Sequence, residues 1–139
     1  MANEATLMWE TEVPIPFTVA DGTGIEKGTL LKLTDPMTAI AHSGDEDPIC
    51  GIAAEEKIAN DGRTKIGVYM GGIFKMTTSA AVTIGQSVAA SATANKVKAA
   101  DATCINSKVV GIALGASGGD AETILVKLMP GSANNNAYA

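Results

Sequence analysis

The central hydrophobic pattern of the chain predicts two strands on either side of a tight turn. A short apolar run covers Ile49–Ala53, which is the length of a buried strand. Asn60-Asp61-Gly62 follows as a structural turn, because these residue types accept positive φ at low cost. From Lys65 to Met70 apolar residues then alternate with others, the period of a half-buried strand. Gly71-Gly72 is a second structural turn, and a further strand is expected directly after it.

The same pattern returns near the C-terminus and predicts an internal duplication. Val109–Ala113 repeats the apolar run, Gly118-Gly119-Asp120 repeats the turn, and Ile124–Leu128 repeats the alternation. The shift between matching residues is 60 for the apolar run and 58 for the alternating strand. Such near-constant shifts favour one β domain built from two similar halves. Chance likeness between short glycine-rich strands is the alternative.

Short strands separated by glycine-rich turns predict an all-β fold, a small sandwich or a small barrel. Further strands are expected at Thr29–Thr34, Met37–Ala41, Val82–Ala90 and Lys96–Ala99. One or two short helices complete the prediction. One helical turn is expected within Glu55–Asn60. A short helix is expected within Ala99–Ser107, because Ala is the best helix former.

The two ends of the chain differ from this β body. Residues 1–17 are expected to form an extended N-terminal arm, since prolines at positions 14 and 16 cannot donate to a strand ladder. The β domain is expected over residues 18–131, with similar halves at about 28–76 and 85–131. Residues 132–139 form a small polar tail, which we expect to be mobile by itself.

The arm carries the only Trp of the chain, Trp9, next to Leu7 and Met8. An apolar cluster on a terminus needs a surface that covers it. The arm therefore either folds back on its own subunit or docks on a neighbouring molecule, and the sequence leaves both alternatives open.

Composition narrows the classes of partner. The 139 residues suit one domain, and 46% are apolar although only 4% are aromatic. A core of small side chains buries little area per residue, so stabilisation through subunit contacts is expected. The net charge is −5 without a basic cluster, which argues against nucleic acid as a partner. No apolar run is long enough to span a membrane and no secretory signal is recognisable, so we expect a soluble protein made in the cytoplasm.

The residues that carry chemistry do not form a catalytic pattern. His42 is the single His and lies beside Ser43 and Asp45, but neighbours in sequence rarely form a triad. We expect a solvated loop His. The acidic loop Asp45-Glu46-Asp47 lacks the ligand spacing of an EF-hand, so solvated carboxylates are favoured over a Ca²⁺ site. The neighbours Glu55-Glu56 are expected to face water.

The two cysteines complete the search. Cys50 and Cys104 lie in or near separate apolar runs without CxxC spacing. Buried free thiols are therefore favoured over a disulfide or a redox role. Taken together, these residues predict no enzyme, no cofactor and no metal.

A family resemblance rests on the order of these motifs. The second half runs through Gly85-Gln86-Ser87-Val88, a lysine-bearing strand at Lys96–Lys98, Val109–Ala113, and a Gly119-Asp120 turn before Ile124–Leu128. This order resembles the small capsid decoration, or cement, proteins of tailed bacteriophages, including the lambda-type head decoration proteins. The first half is similar through Cys50–Ala54 and Val68–Phe74. The likeness covers about residues 28–131.

The resemblance implies a small β-barrel or β-tulip-like domain that assembles as a homotrimer on the outer surface of a phage capsid. The trimer would contact the major capsid protein and stabilise the expanded head, in a virion made in the host cytoplasm. The arm would meet the shell through these residues: Glu4, Thr6, Leu7, Met8 and Trp9. Alternatives are another virion component, such as a head-fibre base or a tail or capsid accessory domain, and a small β-barrel binding module.

Overall fold

The computed structural model describes residues 2–136, and this part of the chain is all-β, which confirms the predicted fold class. The strands in chain order are β1 (Thr6–Trp9), β2 (Ile15–Thr18), β3 (Leu30–Asp35), β4 (Thr38–Ala41), β5 (Ile49–Ala53), β6 (Lys65–Tyr69), β7 (Gly72–Thr78), β8 (Ser87–Ala90), β9 (Lys96–Ala99), β10 (Val109–Ala113) and β11 (Thr123–Leu128). Within the described residues, no helix is both long enough and apolar enough to cross a membrane.

The helices expected from sequence are wrong. The helical element of the described residues is one 3-10 turn, Asn106–Lys108. Within the predicted turn at Glu55–Asn60, the backbone of Lys57 instead exchanges hydrogen bonds with Ile25. Within Ala99–Ser107, Ala99 ends a strand. Tertiary pairing has overridden the local preference of Ala for helix.

The strands close into two barrels with the same topology. The first barrel has the order β2-β4-β3-β5-β6. In the second, the order β7-β11-β10-β8-β9 closes because β9 pairs back with β7. Each strand of the second barrel therefore corresponds to the strand of the first barrel whose number is five lower, so that β7 corresponds to β2 and β11 to β6. The sequence predicts Ile73–Met76 at the end of the first half, whereas these residues belong to β7, which begins the second barrel.

The duplication extends to the pairing register. Leu31 pairs with Gly51 in the first barrel, and Val88 pairs with Gly111 in the second. In both barrels the register shifts directly after this pair. The shift lies between Leu31 and Lys32 in the first barrel, and between Val88 and Ala89 in the second. A shared irregularity is a stronger sign of a common ancestor unit than shared strands are, because strands are common to all β proteins and bulges are specific.

β5 explains why part of the sequence reads as an unbroken apolar run. All of its residues are buried. Cys50 and Ala53 belong to the core of the first barrel, whereas Ile49 and Ile52 belong to the core that continues into the second barrel. β6 has one buried face only, so its sequence alternates. The junction between the barrels thus requires an apolar strand that is covered on both sides.

β2 contains Pro16 but can still be a strand of the first barrel, because its pairing with β4 lies after this proline. β2 pairs along its length with β6 but meets β4 only at Thr18. The N–H of Thr18 donates to the carbonyl oxygen of Met37 at 2.7 Å. Pro16 has no N–H to donate, and at its position none is needed on that edge.

The glycines at the centre of β5 and β10 are required by close backbone approach. A Cβ at Gly51 would collide with the carbonyl oxygen of Tyr69, and one at Gly111 would collide with the carbonyl oxygen of Lys127. Backbone atoms cannot move aside as the end of a flexible side chain can. These two glycines occupy equivalent places in the two barrels.

We predict that Gly111→Ala lowers the free energy of unfolding by about 1–3 kcal/mol, because overpacking displaces β10 from β11. Gly115→Ala is the matched control, since the nearest atom to its added Cβ lies at 3.9 Å. Urea denaturation followed by circular dichroism measures both. Equal stability of the two variants would contradict the close-approach argument.

Candidate functional site

The N-terminal arm is extended, but β1 is held as a sixth strand at the end of the sheet that forms the second barrel. β1 runs antiparallel to β7, with Thr6 opposite Lys75 and Trp9 opposite Ile73. β1 lies at the end of the sheet order, so one of its edges has no partner strand among the described residues. Of the two alternatives left open by the sequence, the arm folds back on its own chain.

Contacts at both ends hold the arm in place. The N–H of Ala5 donates to the carbonyl oxygen of Gly28 at 3.0 Å, and Ala5 is buried in the core. Beyond β1, the hydroxyl of Tyr69 lies 2.9 Å from a carboxylate oxygen of Glu10. The arm therefore contacts both barrels, and its deletion would remove a strand and part of the core.

The five arm residues singled out by sequence lie on different sides of this strand. Leu7 is half-buried and packs against the core, and the side chain of Glu4 lies next to Gly28. Glu4 is exposed, and so are Thr6, Met8 and Trp9. Trp9 is 57% exposed and Met8 is 44% exposed. The structure thus brings two large apolar side chains to the surface of a fixed edge strand.

The junction between arm and barrels is organised by a buried asparagine that sequence analysis did not single out. Asn95 lies in the turn between β8 and β9 and has positive φ, 60°. Its Oδ1 accepts the N–H of Leu30 at 2.7 Å, and its Nδ2 donates to the carbonyl oxygens of Asn3 at 2.7 Å and Gly28 at 2.9 Å. One amide thus links the second barrel to the first barrel and to the arm.

His42 completes this junction and is not the solvated loop residue that the sequence predicts. It is buried, and its Nε2 accepts the N–H of Asn95 at 2.8 Å. Nε2 accepts only in the neutral imidazole, so the junction requires an uncharged His. Burial lowers the pKa of His42, and the nearby charge of Asp47, which raises it, does not cancel that effect.

The C-terminal segment, residues 131–136, repeats the Asn95 arrangement on the second barrel. Asn135 Oδ1 accepts the N–H of Ser87 at 2.9 Å, and its Nδ2 donates to the carbonyl oxygen of Gly85 at 2.7 Å. Gly85 and Ser87 are the equivalents of Gly28 and Leu30. The polar tail expected to be mobile is therefore hydrogen-bonded through residue 136, and residues 137–139 lie outside the described residues.

The acidic loop surrounds a lysine. Carboxylate oxygens of Asp45, Glu46 and Asp101 lie 2.8, 3.4 and 3.3 Å from the ammonium of Lys98. Partial burial by itself would lower the pKa of Lys98, but the bonds to Asp45 and Asp101 outweigh it and raise that pKa. Asp47 is separate: it accepts the N–H groups of Ser43 and Gly44, both at 2.8 Å. The loop is thus fixed to β9 by ion pairs.

The two cysteines are free and buried, as predicted. Burial raises the pKa of the Cys50 thiol to about 11, and burial is also the main cause of the raised pKa of Cys104. Because the thiolate is the reactive form, burial favours the less reactive, protonated form of both thiols. Glu55 and Glu56 are exposed.

The structural turns named from sequence differ in burial. Asp61, Gly62 and Gly118 are exposed, whereas Gly71 and Gly72 are buried at the start of β7. Gly62 and Gly72 have positive φ, 86° and 120°. Asp61 forms an ion pair at 2.7 Å with Lys57, a buried cation that the sequence did not reveal. Gly71 and Gly118 lie next to carboxylate side chains. The carbonyl oxygen of Gly119 accepts the hydroxyl of Thr78 at 2.9 Å.

We predict that Asn95→Ala lowers the free energy of unfolding by about 2–5 kcal/mol, because the buried N–H of Leu30 loses its acceptor and the carbonyl oxygens of Asn3 and Gly28 each lose a donor. Asn60→Ala is the matched control. Asn60 has nearly the same φ, 62°, but is exposed, so its variant isolates the backbone effect at about 1 kcal/mol. Chemical denaturation compares the two. Similar losses would show that the amide bonds contribute nothing.

A second prediction concerns pH. Since the folded-state pKa of His42 lies below its unfolded value of about 6.5, the unfolded state binds the proton first as pH falls. Stability is complete above that value and declines as pH falls through the folded pKa. Denaturant midpoints measured from pH 7.5 to pH 5 should decline less in His42→Gln, which does not titrate, than in the wild type. Parallel curves would be inconsistent with a neutral His42 at the junction.

One protein family matches most of the chain. Residues 9–128 match a family described as phage cement protein, and this range includes every strand except part of β1. A search of curated proteins found no match. Proteins of this family have a structural role in association with the phage capsid. Because the match covers far more than half of the chain, this protein belongs to the phage cement protein family.

Proposed function

We propose that three copies of this protein assemble on the outer surface of an expanded phage head and cement neighbouring major capsid subunits. Family membership supports the capsid as the partner. The observation that carries the finer proposal is the exposed pair Met8 and Trp9 on β1. These side chains form the arm surface of the protein, and we assign the contact with the shell to it.

The arm surface has the chemistry of an interface anchor. Trp is the residue most enriched among side chains that dominate binding energies. Here it stands on a strand that pairs with β7, so little backbone conformational entropy remains to be lost on binding. The unpartnered edge of β1 also offers backbone groups to an extended segment of the capsid protein, by strand addition.

A trimer makes several such contacts at once. Each copy presents one arm surface, so a ring of three reaches three places on the shell. Linked contacts raise the overall affinity far above that of a single arm. The small core side chains predicted from composition support the same assembly, because a chain that buries little area by itself gains stability from subunit contacts.

The role requires no bond chemistry. A cement protein resists rupture of the shell when it binds assembled subunits more tightly than separated ones, which stabilises the assembled state by mass action. The ion-paired loop around Lys98 and the buried thiols fit this reading, since they stabilise the barrels and present no reactive group to solvent.

We predict that Trp9→Ser weakens binding to expanded heads at least about tenfold, because the main apolar anchor is removed. Cosedimentation with heads purified without this protein measures the binding. Ile58→Ser is the matched control, since Ile58 is also strongly exposed, 65% against 57% for Trp9. The control should bind like the wild type. Unchanged binding of Trp9→Ser would refute the contact through the arm surface.

Thermal rupture of the same heads tests cementing separately. Saturation with the wild-type protein should raise the rupture temperature, whereas Trp9→Ser at the same concentration should raise it less. Binding without any shift in rupture temperature would leave a capsid-associated protein that does not cement the shell.

A further inference from the structure

The outer face of the second barrel combines aliphatic and cationic side chains. Strand pairing sets one row of residues across β1, β7, β11 and β10: Trp9, Ile73, Lys127 and Ile112. The next row on this face contains Lys75 opposite Leu125, because residues two apart in a strand point to the same side. The lysine face is defined by these residues: Ile73, Lys75, Ile112, Leu125 and Lys127. It continues directly from Trp9 of the arm surface.

The aliphatic residues of the lysine face are partly exposed to solvent. Ile73, Ile112 and Leu125 are half-buried, and both lysines are exposed. A sheet face that is open to water normally carries polar residues in alternation with the apolar residues of the core. Three aliphatic residues on neighbouring strands instead form an apolar patch, which is typical of a surface that contacts a partner.

The charge of this face differs from that of the whole chain. Within residues 2–136, neither Lys75 nor Lys127 forms an ion pair with a carboxylate, whereas other cations do: Lys32, Lys57, Arg63, Lys96 and Lys98. The chain has a net charge of −5, so this positive face is a local exception. Opposite potentials meet across interfaces, and the complementary surface is therefore acidic.

The equivalent face of the first barrel is covered within the chain. Ile52 pairs with Tyr69 there, as Ile112 pairs with Lys127 on the second barrel. Ile52 is fully buried in the core that continues into the second barrel. The ring of Tyr69 meets that of Phe74 edge-on, with 5.6 Å between the ring centroids. This face of the barrel is thus already used once as a contact surface.

A lysine in place of the tyrosine changes the partner that the second barrel can accept. If a second copy repeated the apolar contact that covers Ile52 and Tyr69, it would bury the ammonium of Lys127 without a counter-charge. Burial of an unpaired charge is costly. A partner with carboxylates supplies the counter-charge, and its apolar atoms cover the aliphatic residues of the face.

We propose that the lysine face, together with Trp9, binds an acidic segment of the major capsid protein. In this contact Lys75 and Lys127 each pair with a carboxylate of the segment. This inference rests on the proposed contact with the shell and names the chemistry of the capsid surface that the contact requires. Because the paired charges lie near solvent, salt screens their attraction.

Salt dependence and charge reversal test the lysine face. Cosedimentation with heads purified without this protein should show wild-type binding that weakens at least about tenfold between about 50 and about 500 mM NaCl. At the lower salt concentration, Lys75→Glu and Lys127→Glu should each weaken binding at least about tenfold. Lys65→Glu is the matched control, since Lys65 is an exposed lysine on β6 of the first barrel and its reversal changes the net charge equally. The control should bind like the wild type.

Two further variants separate charge from apolar contact. Lys75→Arg combined with Lys127→Arg keeps both positive charges and should bind with the salt dependence of the wild type. Trp9→Ser should bind more weakly yet retain that salt dependence, because it removes apolar contact and no charge. The charge-reversed variants should instead lose most of the salt dependence. Unfolding curves confirm that each variant is folded.

The contrary results are distinct from one another. Wild-type binding that ignores salt, or reversed variants that bind like Lys65→Glu, would overturn the acidic partner. If the reversed variants changed oligomeric state without heads, measured by native mass spectrometry, a second copy would cover the face and the proposal would also fall. If the wild type bound heads at no salt concentration, the proposed function itself would fail, and this inference with it.

Discussion

The buried amide of Asn95 is the interaction on which the arrangement of the whole molecule depends. It bonds the first barrel at Gly28 and Leu30 and the arm at Asn3, while its own N–H bonds His42. If the barrels separated, the buried N–H groups of Leu30 and Asn95 would lose their acceptors. The junction therefore holds in one geometry only, whereas an apolar contact of the same area would tolerate sliding.

Duplication explains how such a junction arose in a small chain. Two equivalent barrels expose the same backbone groups at equivalent places, and each needs an amide partner. The first barrel receives it from the β8–β9 turn, and the second from Asn135 in the C-terminal segment. The two halves share register and topology but differ in what covers them. Equivalent surfaces of the two barrels are therefore covered by different segments of the same chain.

The position of the arm connects the fold with the role in the capsid. A free arm would lose conformational entropy when it binds, but β1 is already ordered by β7 and by the contacts of Ala5. In the proposed contact with the shell, the same order would leave the exposed Trp9 little entropy to lose. The proposed contact with the shell uses a surface that pairing with the second barrel holds in place.

The sequence by itself determined the all-β class, the strands that alternate or run unbroken, and the duplication, because strand period and turn residues are local properties. It also determined that Cys50 and Cys104 would be buried thiols. Only the tertiary structure decided that His42 is buried, that Asn95 joins the barrels, and that residues 131–136 are fixed to β8. These contacts join residues far apart in the chain, 53 residues for His42 and Asn95. Local patterns show that one face of a strand is buried, but which surface buries it depends on how the two barrels pack.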